Sequence, residues 1–411
     1  MKKMVAIILV LAAIITIPLG LVGCREKTNS KDLMKDIEPT DLEEKSVGAL
    51  QEEAVCDFAL RLFAKCNKEG ENVLISPLSV LYALALTANG ADGKTLEQME
   101  SVIGMPIGEA NKSLGAYMSR IPNGEKYKLS IANSIWFRDD IDVNLSFLQL
   151  NADYYGADAF MAPFDASTLK DINKWTSDNT DGMIQELLDK IPDEAVMYLV
   201  NAIAFDSEWE RAYTEKQVWK ETFYSYNGDE CAVDFMHGNE SVYIEDDLAS
   251  GFIKYYKDKK YAFAALVPYE GVSISDYIDS MEAGDLYSVL RSGQTKNLSV
   301  SIPKFEYEYS ADMSEILKAL GMTDAFDGER ADFSGIGIGE GTDVFINRVL
   351  HKTYISVNEQ GSRAGAASSV EETLGSPPEI KNIKLDRPFI FAIVETNNSI
   401  PVFIGAVNNV K

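Results

Sequence analysis

Val357-Asn358-Glu359-Gln360-Gly361-Ser362-Arg363-Ala364-Gly365-Ala366-Ala367-Ser368-Ser369 begins as a strand and then loses its bulky side chains. The approach to it, Tyr354-Ile355-Ser356-Val357, has the β-branched and aromatic residues of a buried strand. From Gly361 to Ser369 nothing larger than serine occurs except Arg363. A flexible linker accounts for small residues, but linkers favour Gly and Ser over Ala. A helix accounts for Ala, yet two glycines and three serines weaken it. A third reading is a segment that at some stage slides between two strands already packed on a core. Side chains alternate between the faces of a strand, so Ser362, Ala364, Ala366 and Ser368 share one face, all small enough to enter an occupied core. Arg363, Gly365 and Ala367 share the other, which turns the one long charged side chain toward solvent.

Outward from this stretch the chain reads as alternating strands and helices. Val196-Met197-Tyr198-Leu199-Val200-Asn201-Ala202-Ile203-Ala204-Phe205 is too uniformly apolar for a one-sided strand and predicts a central strand covered on both faces, with Trp209-Glu210 just beyond. In Asn72-Val73-Leu74-Ile75-Ser76-Pro77-Leu78-Ser79-Val80, Ser76 can cap and Pro77 can open a helix that is apolar on nearly every side and ends near Gly90. Before it, Val55, Phe58, Ala59, Leu62, Phe63 and Cys66 form one helical face. Thr95 with Gln98 reads as a capping box. Lys128–Phe137 reads as a strand and Thr168–Asn179 as a helix broken at Thr180-Asp181-Gly182. Gly251–Tyr256 and Tyr261–Pro268 read as a hairpin, and Leu298–Tyr309 alternates through Ile302-Pro303-Lys304-Phe305. A helix closes at Leu317-Lys318-Ala319-Leu320-Gly321, before Ala331-Asp332-Phe333-Ser334-Gly335. The chain ends in two apolar runs, Arg387-Pro388-Phe389-Ile390-Phe391 and Pro401-Val402-Phe403-Ile404-Gly405.

These motifs, in this order over almost the whole chain, resemble the serpin family. The hinge pattern of that family is matched by Glu359, Gly361, Ser362, Ala364, Ala366 and Ala367. The resemblance implies an α+β fold: a large, mostly antiparallel central sheet, two smaller sheets, eight or nine helices and an exposed reactive loop at about residues 360–380. It places Ser76, Ser79, Asn201 and His351 in a polar shutter under strands that must part. It places Lys304, Glu359 and Trp209 at the breach, where the loop enters the sheet. The implied activity is that of a suicide substrate for a serine protease: the protease attacks the loop and forms an acyl-enzyme, and the cut loop inserts as a new strand before deacylation. Counting from Glu359 puts the scissile bond after Gly375, and counting back from Pro377-Pro378-Glu379 puts it after Leu374. Thr373 and Ser376 complete the candidates. Such residues suit an elastase-, subtilisin- or chymotrypsin-like pocket rather than a trypsin-like one. The alternative within the family is a non-inhibitory serpin acting as a cell-surface binding or scaffold protein.

The 411 residues begin with Lys2 and Lys3, an apolar run from Met4 to Val22, and Leu21-Val22-Gly23-Cys24. The run is long enough to span a membrane, and an uncleaved anchor is one reading. The ending resembles a bacterial lipobox, which predicts cleavage before Cys24 and lipidation of its thiol. Residues 1–23 are then a lipoprotein signal peptide, 24–47 a lipidated flexible tether with a reach of about 28 Å, and 48–411 one folded domain. The expected address is the outer face of the bacterial cell membrane. A solute-binding lipoprotein would need two lobes of repeated strand-helix units, which the sequence lacks.

Loss of residues 1–23 removes two lysines and no acids, moving the net charge from −26 to −28. No dense Lys/Arg stripe offsets it, so neither nucleic acid nor a glycosaminoglycan is an expected partner. A monomer is expected. Hydrolase readings fail on inventory: the histidines are His237 and His351, there is no Gly-any-Ser-any-Gly elbow, and no Cys pair has zinc spacing. Neither an enzyme, a metal nor a cofactor is therefore expected. His237 reads as a structural residue. Cys56 and Cys66, about 15 Å apart along one helix, cannot bridge, and Cys231 has no obvious partner.

Overall fold

Met197–Glu208, the run expected at the centre, is buried along nearly its whole length and has strands on both sides. The structure, a computed structural model, describes residues 29–40, 51–339, 344–362 and 380–410. Around this strand lies a seven-stranded sheet in the order Lys31–Asp32, Asp158–Ala162, Tyr127–Arg138, Met197–Glu208, Gly361–Ser362, Arg348–Asn358 and Phe305–Asp312. Most neighbours are antiparallel. The exceptions are Asp158–Ala162 beside Tyr127–Arg138, and Met197–Glu208 beside Arg348–Asn358, both parallel.

Both faces of the central strand are covered, which is why its sequence does not alternate. Behind it lies Pro77–Ala88, a helix buried at every position, opened by Pro77 and capped by the Ser76 hydroxyl, which accepts from the Ser79 N–H at 3.4 Å. In front, Ile172 and Trp175 of the helix Ala166–Asn179 join Trp136, Tyr198, Val200, Ala202 and Leu350 in a second core.

The two smaller sheets form one continuous nine-stranded sheet, because Glu230–Glu245 is sixteen residues long and runs through both. Its residues 230–236 pair with Val218–Tyr224, 235–243 with Gln294–Pro303, and 242–245 with Ala249–Tyr255. Ile380–Lys384, which follows the loop, lies parallel to Gln294–Pro303 at one edge. Gly337–Gly339 and Ile141–Val143 make a separate two-stranded ribbon. With nine α-helices among the described residues, this is the expected α+β architecture.

One expectation needs correction. Residues 24–47 read as a flexible tether, yet within them 29–40 are docked. Lys31 and Asp32 add a strand to the edge of Asp158–Ala162, and the Leu33 N–H donates to the Ala159 carbonyl at 2.8 Å. The Ser30 hydroxyl donates to Asp171 at 2.6 Å, and the Thr40 N–H donates to Asp153 at 2.6 Å. Leu33, Met34 and Ile37 pack against the main core. Three apolar residues among many charged ones vanish in an average over the segment, which is why composition misreads it. Deleting residues 25–40 uncovers a sheet edge and these apolar contacts, so the melting temperature is expected to fall by a few degrees. Calorimetry on the two forms checks this, and equal melting temperatures would refute it.

Candidate functional site

The upper part of the seven-stranded sheet is parted. Arg348–Asn358 and Met197–Glu208 pair in parallel from Arg348 opposite Tyr198 to Lys352 opposite Ala202, and no further. At the far end Gly361 and Ser362 fill the space between them. Gly361 lies opposite Glu208 on one side and Asn358 on the other, and Ser362 opposite Ser207 and Val357. The chain turns back on itself at Glu359 and Gln360 and enters the sheet at Gly361 and Ser362. Glycine is required at 361, since a Cβ there would stand 2.0 Å from the Ser207 carbonyl oxygen. Ser362 points inward, is 2% exposed, and shares a hydrogen bond of 2.7 Å with the Tyr256 hydroxyl. Beneath it a crevice is lined by Phe205, Tyr354, Ile355, Ser356, Ile393 and Phe403. Ala364, Ala366 and Ala367, and the scissile candidates Thr373, Leu374, Gly375 and Ser376, lie outside the described residues.

The turn is held from the side by the segment after the central strand. The Trp209 N–H donates to the Gln360 carbonyl and the Tyr213 N–H to the Glu359 carbonyl, both at 2.8 Å. The buried Trp209 indole donates to the Asn358 carbonyl at 2.9 Å and lies flat on Tyr256, 4.3 Å between centroids at 11°. Lys304 reaches the Glu359 carboxylate at 2.7 Å. The hydrogen bond from Lys304 holds the Glu359 carboxyl below its ordinary value. The pair is about one-third exposed, so its own contribution to stability is small. The structure thus brings Lys304, Glu359 and Trp209 to one place.

Some way down the same strands Ser76, Ser79, Asn201 and His351 form one buried cluster. The Ser76 N–H donates to His351 Nε2 at 3.1 Å, so the ring proton is on Nδ1, which donates to Asn201 Oδ1 at 2.9 Å. The Ser79 hydroxyl donates to the same oxygen at 2.5 Å. The Asn201 amide donates to the Ser79 carbonyl at 2.8 Å and to Asn133 Oδ1. These four side chains and Asn133 are all buried. Asn201 and His351 belong to the two strands that part above, and their bond spans the last pairs of the closed region.

Sequence reasoning missed two members. Asn133 lies directly opposite Asn201 in the antiparallel pair, and two asparagines in apolar strands were the available signal. Tyr256, partner of both Ser362 and Trp209, gave no signal. His237 lies apart from the cluster, stacked on Trp219 at 3.5 Å with Nδ1 bonded to Ser301 at 2.9 Å.

Burial pushes the His351 pKa down from 6.5 to about 3. Below about 6.5 the unfolded chain takes up a proton that the folded chain refuses until about 3. More protons are bound unfolded across that window, so stability falls as pH falls through it. Between pH 6.5 and 5 the loss is about 2 kcal/mol. The melting temperature is therefore expected to drop more steeply from pH 7 to 5 in the parent than in His351→Gln, and parallel slopes would refute the assignment.

Fold and site together define a protein whose central sheet is parted at one end by the start of a loop. The family model described as Serpin (serine protease inhibitor) matches residues 53–410, and the chain belongs to the serpin family, whose members are generally protease inhibitors rather than enzymes. An uncharacterized serpin-like protein of Thermococcus kodakarensis is 29% identical over 87% of this chain and 85% of its own. The thermophilic serpin tengpin in its native state is 44% identical, with a TM-score of 0.90 over 93% of this chain and 100% of its own. The latent state of tengpin, also 44% identical, gives 0.79 over 91% of this chain and 100% of its own. At equal identity the lower score reflects conformation, and this chain is nearer the native state.

Proposed function

We propose that the chain is an inhibitory serpin: a protease cuts the loop, the acyl-enzyme forms, and the freed loop completes the strand begun by Gly361 and Ser362, trapping the protease covalently. The observation that carries this reading is the parted sheet with Gly361 and Ser362 between its strands, and in the sequence small residues follow them. Continued in register, position 364 falls between Phe205 and Ile355, 366 between Ile203 and Thr353, and 368 between Asn201 and His351. Those six neighbours are buried, and Ala364, Ala366 and Ser368 are the side chains that would face inward with them. Residues 363–366 would meet strand edges that have no ladder partner between them among the described residues. From 367 onward the parallel pairs, beginning with Lys352 and Ala202, must separate.

About fifteen inserted residues at 3.3 Å each would carry the protease roughly 50 Å. New ladder hydrogen bonds and buried small side chains drive the step, a strain-releasing switch of sheet and loop. Thr373, Leu374, Gly375 or Ser376 at the cut favours an elastase-, subtilisin- or chymotrypsin-like enzyme. We further propose that Cys24 carries a lipid and that the protein works as a monomer at the outer face of a bacterial membrane. Because residues 29–40 are docked, only residues 25–28 separate Cys24 from the docked segment, and a lipid there would hold the domain close to the bilayer rather than tens of ångströms away.

The test is incubation with elastase, subtilisin and chymotrypsin, followed by denaturing gel and intact mass. A species at the summed mass and a released C-terminal peptide support the reading. Cleavage that leaves all three proteases active would favour the binding or scaffold reading.

A further inference from the structure

Lys254 is a charged residue in a place made for an apolar one. It lies on Ala249–Tyr255, between Phe252 and Tyr256 on the inward face, and is 3% exposed. Its ammonium meets Glu240 at 2.7 Å and donates to the Arg211 carbonyl at 3.3 Å. It also sits 4.5 Å from the centroid of the Tyr213 ring and 5.2 Å from that of Trp209. Burying an ammonium is costly even when paired, and a hydrophobic residue of like volume would usually serve packing as well. A structural role in the core therefore leaves the charge unexplained.

What Lys254 touches supplies the explanation. Residues 209–213 provide the donors that fix the carbonyls of Asn358, Glu359 and Gln360, immediately before the two inserted residues. Apart from a single bridge between Trp209 and Tyr256 and a bond from the Glu210 N–H to the Tyr255 carbonyl, this segment has little ladder of its own. An ammonium is attracted to ring faces and carbonyl oxygens at once. From one buried point Lys254 grips three groups of the segment: two rings and one carbonyl.

We propose that Lys254, neutralised by Glu240, is a positioning residue for loop insertion. It fixes the 209–213 segment so that the carbonyls of 358–360 are presented in one register, and the entering strand starts at Gly361 rather than one residue away. A slip of one residue would turn Arg363 and the other outward residues toward the core. The proposal rests on the inhibitory reading, and its test separates the two.

The experiment compares the full chain in detergent with Lys254→Met and with Lys254→Met/Glu240→Gln, the second leaving no unpaired buried carboxylate. In uncut protein, hydrogen exchange in peptides spanning 355–362 is expected to quicken about tenfold or more in both variants, with exchange in Pro77–Ala88 unchanged. With protease added, the rate of loop cutting should match the parent while the trapped fraction falls severalfold. Unchanged exchange at 355–362, or equal acceleration in the Pro77–Ala88 helix, would overturn the proposal. The exchange measurement needs no protease, so a parent that traps nothing would sink the inhibitory reading alone. If Lys254→Met fails to fold, the double variant decides.

Discussion

Ala366→Glu is expected to turn the inhibitor into a substrate. The loop should be cut as fast as in the parent, while the yield of covalent complex falls at least about tenfold. In the inserted register, position 366 lies between Ile203 and Thr353, 2% and 0% exposed. A carboxylate entering there must lose its water or take up a proton, at a cost of several kcal/mol with no partner provided. Each 1.4 kcal/mol added to the insertion barrier slows the step about tenfold, and the competing deacylation is untouched. The block falls at a telling point: residue 366 is the last that would meet unpaired strand edges, and 367 is the first that must unzip the parallel ladder at Lys352 and Ala202. The loop would stall before the sheet opens. Ala366→Ser adds one hydroxyl and should trap nearly as well as the parent. The check is the ratio of gel-stable complex to cut inhibitor over a range of mixing ratios, and full trapping by the Glu variant would dismiss insertion as the mechanism.

What could be read without coordinates follows from the physics of each segment. The two-sided apolar run Val196–Phe205 gave away its central place, because only a strand covered on both faces lacks alternation. The alternation of small residues after Gly361 depends on period alone, and Ser362 is indeed turned inward. The polar cluster is different. Ser76, Asn201 and His351 are far apart in sequence, and no local pattern sets their distances; family likeness grouped them, while Asn133 needed the strand register. Lys254 was legible in principle, since it shares parity with Phe252 and Tyr256, but lysine in a strand is read as an outward residue by habit. Thr95 and Gln98 show the reverse failure. The motif fits a capping box, yet Asp92 caps that helix and Gln98 instead accepts from the N–H groups of Thr323 and Asp324. A tertiary contact had claimed the side chain.

Asn201→Ala is expected to destabilise the uncut protein far more than the loop-cut one. In the uncut form, Asn201 Oδ1 receives bonds from Ser79 and His351, and its amide reaches the Ser79 carbonyl and Asn133. Truncation strips partners from several fully buried polar groups at once. Unmade buried bonds cost about 1–3 kcal/mol each, so a loss on the order of 3–6 kcal/mol is expected, against a total stability of about 5–15 kcal/mol for a typical protein. Ser79→Ala removes one of two donors to the same oxygen and should cost about 1 kcal/mol. In the inserted register, position 368 lies between Asn201 and His351, so their direct bond cannot survive insertion. The cluster therefore weights the closed state specifically, and a mutation that breaks it should widen the free-energy gap that favours insertion. Thermal unfolding of parent and Asn201→Ala, each before and after loop cutting, measures this. A large drop before cutting with a small one after it is the expected pattern. Equal drops in both forms would show that the cluster is general core packing and does not hold the sheet closed.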